Sequence, residues 1–271
     1  MIKQAIIPLA GLGTRLLPLT SVFAKELLPI NGKPGLEYII DECIDAGIKE
    51  IIFIISKKKI MIKNYFYNDK FYKDLIRKKK DPRIISEYKK ILKYRKMIKF
   101  VYQNRPKGTG DAVLKTKKII KDKYFLMLLP DDLIIKKNCS KSMIKSHKKY
   151  KSSVIASLTI SKKTVSRWGI FKINKKLSKR DFEISKVVEK PSIQDAPSNK
   201  AVIGRYILPK SIFLKLQKLK PGKSGEIHIT DAIQSLINDN ENFIAHNFDG
   251  KYLDCGTMNG YIKSSKEIGS I

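Results

Sequence analysis

The order of apolar segments along the 271 residues predicts a three-layer α/β domain built on a mixed sheet. Three observations carry this expectation. Short continuous apolar runs at residues 2–9, 50–55 and 124–129 have the length and composition of strands buried on both faces. Stretches of helical spacing lie between them and are closed by Gly or Pro. Apolar residues make up 42% of the chain and are spread along its whole length, enough to bury one large core but short for two. One domain over residues 1–271 is therefore expected, and no repeat, low-complexity tract or linker divides it.

The first run, 2–9, stops at Gly11, as a buried strand feeding a glycine turn does. Residues 36–46 read as a helix ended by Gly47, and 50–55 as a second strand, an order that implies a parallel pair. From about 57 to 98 the chain is polar, aromatic and helical in pattern, with Asp81-Pro82 as a break. A helical insertion packed on the sheet edge is expected there, with Tyr65, Phe66, Phe71 and Tyr72 as packing residues. Residues 99–102 make a third strand, 110–120 a helix, and 124–129 a fourth strand that ends at Pro130-Asp131-Asp132. Carboxylates at the carboxyl end of a buried strand stand where open α/β sheets place their chemistry. After a basic helix at 140–150 the chain becomes strand-rich, at 153–159, 168–173, 184–188 and 201–207. Helices at 209–218 and 229–238, a strand at 243–246 and a closing helix at 257–268 complete the expected elements.

Lys and Arg number 56 against 25 Asp and Glu, a formal charge of +31. Such a balance ordinarily points to nucleic acid or an anionic membrane. Here the lysines gather in no single stripe, Ile and Asn are also abundant, and no nucleic-acid module with stacking aromatics is recognisable. The charge reads as a diffuse solvated surface, with Lys57-Lys58-Lys59 and Lys78-Lys79-Lys80 on exposed helix or loop, and no specific nucleic-acid partner is expected. No apolar run approaches the roughly 20 residues that cross a bilayer, and no signal-peptide pattern follows Met1, so a cytoplasmic chain without membrane attachment is expected. Cys43, Cys139 and Cys255 are odd in number and lack CxxC spacing, which reads as reduced structural thiols. His147, His228 and His246 lack metal-ligand spacing and read as structural or exposed.

Chemistry enters with the loop after the first strand. Ala10-Gly11-Leu12-Gly13-Thr14-Arg15 places two glycines, a hydroxyl and a guanidinium within five positions. Small residues let backbone N–H groups approach phosphate, and Arg supplies a fixed fork of donors. The loop lacks the third glycine of the dinucleotide fingerprint and the Gly-Lys-Ser/Thr ending of the P-loop, so neither of those sites is supported.

A short way on lie Lys25-Glu26-Leu27-Leu28-Pro29 and Asn31-Gly32-Lys33-Pro34. Together with the first loop they closely resemble the glycine-rich signature of the sugar-phosphate nucleotidyltransferases. Gln103 with Gly108-Thr109-Gly110-Asp111-Ala112, Leu129-Pro130-Asp131-Asp132, Trp168-Gly169, Val188-Glu189-Lys190-Pro191, Asn199 to Tyr206 and Asp254-Cys255-Gly256 follow in that family's order. The resemblance covers nearly the whole chain. Glu189-Lys190-Pro191, Gly204-Arg205-Tyr206 and the stretch from Glu226 to Ala232 resemble the bacterial UTP–glucose-1-phosphate uridylyltransferase branch. Where that branch usually carries Gly-Leu-Gly-His-Ala, this chain has Thr109 and Asp111, which leaves open what the loop contacts around the base. The chain also ends soon after the helix containing Glu267, and the loss of a terminal segment used in subunit packing is expected.

The resemblance implies a Rossmann-like nucleotidyltransferase fold with a mixed, mostly parallel central sheet. It implies UTP and glucose 1-phosphate as substrates, Mg²⁺ as cofactor and a homo-oligomer. Arg15 and Lys25 would hold the triphosphate and support the leaving pyrophosphate, with Gly13 and Thr14 in the same loop. Ala10 and Gly11 would approach the pyrimidine with their backbones, Gln103 and Gly108 would read it, and Glu26 would meet the ribose or base. Lys190 would hold the sugar phosphate, Glu189 the glucose hydroxyls, and the Gly169 backbone would close on the ring. Asp131 matches the family's metal ligand and Asp254 a second carboxylate used for metal in related enzymes. Two alternatives stay open at this level. Uracil and thymine differ by one methyl, which a pocket discriminates weakly, so dTTP or another sugar 1-phosphate fits the same pattern. A nucleic-acid-binding protein is suggested by the charge alone.

Overall fold

The structure is a computed structural model and describes residues 2–222 and 225–270. Its first half holds strands β1 (Gln4–Pro8), β2 (Pro29–Ile30), β3 (Lys33–Pro34), β4 (Glu50–Ile55), β5 (Ile98–Tyr102), β6 (Tyr124–Leu128) and β7 (Asp132–Ile135). Six helices accompany them: α1 (Gly35–Asp45), α2 (Ile60–Tyr67), α3 (Asp69–Lys79), α4 (Pro82–Arg95), α5 (Gly108–Leu114) and α6 (Cys139–Tyr150). The second half adds β8 (Ser153–Thr159), β9 (Gly169–Lys176), β10 (Asp181–Glu189), β11 (Lys200–Pro209), β12 (Phe243–Asn247) and β13 (Lys251–Asp254). Helices α7 (Ile212–Lys218), α8 (Ile229–Asn238) and α9 (Met258–Gly269) belong with them.

Nine strands form one sheet in the order β5-β4-β1-β6-β11-β8-β12-β10-β9. The sheet is mixed as expected. The joins among β5, β4, β1 and β6, and between β8 and β12, are parallel, whereas β11 runs antiparallel to β6, β8 and β9, and β10 to β12 and β9. Parallel pairing therefore dominates the first half, and the strand-rich second half supplies the antiparallel part.

Side-chain alternation along the strands writes the three layers. Ala5 and Ile7 of β1, Phe53 and Ile55 of β4, and Leu126 and Leu128 of β6 face the core under α1, α2, α4 and α6. Ile6, Ile52, Ile54, Phe125 and Met127 face the opposite core, under α5, α7 and α8. Every residue in these strand centres is apolar because each of the two faces is covered by helices.

Helices α2, α3 and α4 fill residues 60–95; of the four aromatic residues expected to pack there, Phe71 is 54% exposed. Phe66 lies 5.8 Å from Phe53 and 6.5 Å from Phe100 of the edge strand β5. Tyr72 stacks on Tyr88 at 5.1 Å and meets Phe71 edge-on, while the Tyr65 hydroxyl donates to Glu37. Asp81 caps α4 by accepting from the Arg83 N–H at 2.8 Å, with Pro82 in the first turn, where a missing N–H costs nothing. Helix α5 is shorter than its expected span: the buried Thr116 donates its hydroxyl to the Val113 carbonyl at 2.7 Å, taking an acceptor that a longer helix would use.

Four short strands, in two pairs, escaped the sequence reading. Strands β2 and β3 are two residues each, and β7 pairs antiparallel with β13 with Asp132 opposite Asp254. The three cysteines are free and buried. Among the described residues no helix is long and apolar enough to cross a membrane, and Lys59 and Arg205 are the only buried Lys or Arg residues.

Candidate active site

A cleft of about 510 Å³ opens at the carboxyl ends of β1 and β6. Its floor begins where the Leu9 N–H donates to the Ile54 carbonyl at 2.7 Å, leaving Ala10 buried and Gly11 turned to open space. Gly13 has φ +72°, in the region that favours glycine, and a Cβ there would lie 3.4 Å from the Lys25 stem and 3.1 Å from Thr20. The Thr20 hydroxyl fastens the loop by donating to the Gly13 carbonyl at 2.9 Å. Thr14, Arg15 and Leu16 form a single 3-10 turn that buries Leu16 and sends Arg15 outward, 67% exposed at its side chain.

Two cations converge on one carboxylate at the cleft floor. Lys25 Nζ donates to Asp131 Oδ2 at 2.7 Å, and the Arg15 guanidinium stands 3.6 Å from the same oxygen. Burial alone would lower the Lys25 ammonium, but Asp131 and Glu26 outweigh it and hold the group above its ordinary value. Burial likewise works to raise the Asp131 carboxyl, and Lys25 more than reverses it. The neighbouring Asp132 is pushed up to about 6 by burial and by Asp131, while accepting from the Tyr252 hydroxyl at 2.6 Å and the Gly204 N–H at 2.9 Å.

Glu26 reaches the cleft already paired. Both its oxygens accept from Lys59 Nζ at 2.8 Å, with Glu26 3% and Lys59 6% exposed. This corrects the solvated reading of Lys57-Lys58-Lys59: Lys57 and Lys58 are exposed, but Lys59 turns inward to a carboxylate from another loop. Burial lowers its ammonium, with Glu26 offsetting part of the effect. Lys78, Lys79 and Lys80 are exposed as expected.

The β7–β13 pair carries Asp254 to the same end of the cleft. A Cβ on Gly256 would lie 2.7 Å from Asp131 Oδ2 and 3.2 Å from Asp254 Oδ1, so the two carboxylates share one small space above the Gly256 backbone. The Gly256 N–H donates to Asp254 Oδ1 at 2.8 Å, and the Cys255 N–H donates to the Asp131 carbonyl at 2.8 Å.

The opposite wall is the loop entering α5. Gly108 has φ +91°, and a Cβ there would meet the Ile227 carbonyl oxygen at 2.5 Å. Gly110 donates to that oxygen at 2.8 Å, and the Ile227 N–H donates to the Lys107 carbonyl at 2.9 Å. The two glycines let the 226–228 segment lie against the loop, which brings Glu226 to the cleft wall. Buried Gln103 donates through Nε2 to Asp111 Oδ2 at 2.7 Å and to the Gly108 carbonyl at 3.3 Å. Thr109 accepts from the Ile229 N–H at 3.3 Å at the start of α8.

The third group lies beyond the cleft lining, across β11. Gly169 pairs with Glu189, and a Cβ on Gly169 would come within 3.1 Å of Glu189 Oε2. Lys190 is exposed, takes φ +45°, and donates its N–H to the Trp168 carbonyl at 3.0 Å. Strand β11 connects this edge to the aspartates: Ala201 pairs with Ile170, and Gly204 holds Asp132. The Trp168 ring also lies 5.7 Å from Tyr252, the residue that donates to Asp132. Behind them Arg205, fully buried, grips Glu42 through Nε and Nη2 and donates through Nη1 to the Leu129 carbonyl at 3.0 Å.

Ala10, Gly11, Gly13, Thr14, Arg15, Lys25, Glu26, Gln103, Gly108 and Asp131 therefore line one cleft, while Gly169, Glu189 and Lys190 sit on the neighbouring sheet edge. Lys59, Glu226 and Gly256 were missed. Lys59 was hidden in a run of like residues, and Glu226 stood in a recognised segment without a role assigned to it.

A family model described as "Nucleotidyl transferase" matches residues 4–270. The chain is 37% identical to the UTP–glucose-1-phosphate uridylyltransferase 2 of Streptococcus pyogenes serotype M3, over 97% of this chain and 89% of that one. Among solved structures, a UDP-glucose pyrophosphorylase complexed with UDP-glucose superposes with a TM-score of 0.87 at 35% identity, over 100% of this chain and 99% of that one. A UTP-bound enzyme from Acinetobacter baumannii superposes at 0.89 with 33% identity, over 99% and 94%. A family match over nearly every residue, joined to full-length identity of this order, shows that the chain belongs to the nucleotidyl transferase family.

Proposed function

We propose that this chain transfers the uridylyl group of UTP to glucose 1-phosphate, forming UDP-glucose and pyrophosphate. The observation that carries the proposal is the convergence of Lys25 and Arg15 on Asp131, in a cleft whose opposite wall presents Gln103 and Gly108. The names of its full-length relatives support the same pair of substrates.

Glucose 1-phosphate is largely dianionic at pH 7, because the second pKa of a phosphate monoester lies near ~6. Its oxygen is already a nucleophile. It forms a bond to the α-phosphorus of UTP as the bond from that phosphorus to the bridging oxygen breaks, and pyrophosphate carries the electron pair away. No covalent enzyme intermediate is needed. The obstacle is the approach of two polyanions, so rate depends on positioning and on cations.

In this reading Arg15 and Lys25 neutralise the triphosphate and the departing pyrophosphate, and Gly13 and Thr14 bring backbone N–H groups to it. Ala10, Gly11, Gln103 and Gly108 hold the base, and Glu26, paired with Lys59, fixes a second ammonium beside the Lys25 loop. Lys190 holds the sugar phosphate, with Glu189 and Gly169 on the glucose ring.

The family generally uses a divalent metal. The residues fit Mg²⁺: the Asp131 and Asp254 carboxylates converge above Gly256. Two carboxylates then leave coordination positions for phosphate oxygens and water, as suits this ion. When bound, it supplies charge neutralisation at the reacting phosphates.

Pyrophosphate release measured with UTP, dTTP, CTP and ATP against several sugar 1-phosphates tests the proposal. UTP with glucose 1-phosphate should give the highest kcat/KM. Release with another pair and none with this one would overturn it.

A further inference from the structure

Thr109 and Asp111, which depart from the usual loop of the uridylyltransferase branch, have different surroundings. Thr109 accepts a hydrogen bond at the start of α8. Asp111 stands behind Gln103 and is itself buried.

A side-chain amide has an NH₂ end and a carbonyl end, and a half-turn exchanges them. Facing a carboxylate, only the NH₂ end makes a hydrogen bond. Gln103 Nε2 donates to Asp111 Oδ2 at 2.7 Å and to the Gly108 carbonyl at 3.3 Å, so both its N–H groups are engaged. Lys115, one turn along, lies 3.4 Å from Asp111 Oδ1 and stabilises the carboxylate from its other side. Gln103 Oε1 accepts no hydrogen bond among the described residues, yet it is not a sealed, unpaired atom. Gln103 stands between the cleft and a second hollow and lines both, whereas Asp111 lines only the second, with Asn104, Arg105 and Lys115.

We propose that Asp111 is a positioning residue for base selection, engaging one Gln103 N–H while the Gly108 carbonyl engages the other, so that Gln103 offers an incoming base a carbonyl acceptor alone. This inference rests on the reading that Gln103 holds the nucleobase. A fixed acceptor suits a base whose edge carries an imide N–H, the class of uracil and thymine. In the pose that meets the imide N–H it opposes cytosine, whose N3 is a lone pair and whose N–H donors sit on the exocyclic N4 instead, because neither partner then has a proton to place at N3.

The test is the ratio of kcat/KM for UTP and CTP, with equilibrium binding of each nucleotide, in wild type and Asp111→Asn. Asn keeps the shape but either donates or accepts, so Gln103 is free to take both orientations. The preference for UTP should narrow by about tenfold or more, the loss of one hydrogen-bond match. The change should fall on CTP binding and KM, with kcat for UTP nearly unmoved. In a Gln103→Leu background the same Asp111→Asn change should leave the ratio where Gln103→Leu puts it.

Parallel losses for UTP and CTP with an unchanged ratio would assign Asp111 a purely structural role and overturn the proposal. So would a narrowing that persists without Gln103. Asp111→Ser, which also donates or accepts, gives the same test if the Asn variant unfolds early. Wild type that releases pyrophosphate with neither nucleotide removes the uridylyl reading and this inference with it, whereas wild type active on UTP with an unaltered ratio removes this inference alone.

Discussion

Glu42→Gln should destabilise this protein far more than a change of one atom suggests. Arg205 is fully buried, and its guanidinium makes three bonds of 2.8 to 3.2 Å to the Glu42 carboxylate. Burial by itself opposes the charge on Arg205, and Glu42 more than restores it. The Gln variant keeps the shape and its acceptor for Ser140, but it leaves a guanidinium without the counter-charge bonded to it, in a site closed to water. Breaking one side of a buried pair in this way costs about 3–5 kcal/mol. For a chain of this size about 2 °C of Tm accompanies each kcal/mol, so the melting temperature should fall by about 6–10 °C. Urea titration should show the matching loss at unchanged slope. The double replacement Glu42→Leu with Arg205→Met should recover most of the stability, because it removes both charges together. It should not recover activity, because Arg205 also holds the Leu129 carbonyl beside Pro130 and Asp131. A Glu42→Gln protein that melts within about 1 °C of wild type would refute the argument that this pair is interdependent.

Three further outcomes are expected. Lys190→Ala should cut turnover sharply while UTP binding stays nearly intact, and full activity at saturating glucose 1-phosphate would remove Lys190 from the sugar-phosphate site. Asp131→Asn should fold and lose metal-dependent rate by orders of magnitude, and Asp254→Asn should lose as much or less. Turnover against Mg²⁺ concentration, with thermal unfolding as control, decides this, and full activity in excess chelator would defeat the metal account. Asp181 is buried, which raises its carboxyl, but hydrogen bonds from His246, Ser178 and Ser146 hold it below its ordinary value. A depressed carboxyl contributes stability above its unfolded pKa of about 3.9 and loses it as pH falls through the folded value. Melting curves below about pH 4 should therefore drop steeply in wild type and less steeply in Asp181→Asn; identical acid limbs would count against the assignment.

Read in order, the residues themselves determined the layers of this protein and named most of the residues that come together at its cleft. Continuous apolar runs such as Ile51 to Ile55 declare burial on both faces, because only a strand covered from two sides has no polar position to offer. Glycine and charged motifs such as Gly11 to Arg15 and Glu189-Lys190 are local, since one short segment carries the whole requirement for close backbone approach or a cation. Tertiary structure decided which of those segments meet. Asp254 reaches Asp131 because β13 pairs with β7, more than a hundred residues earlier, and no local pattern announces a pairing of four residues. Lys59 looked like its two solvated neighbours, and only the carboxylate of Glu26, carried in on another loop, made its burial affordable. Arg205 and Asp111 follow the same logic. A buried charge or a fixed amide is defined by the partner opposite it, and Glu42 and Gln103 become partners when the chain is folded.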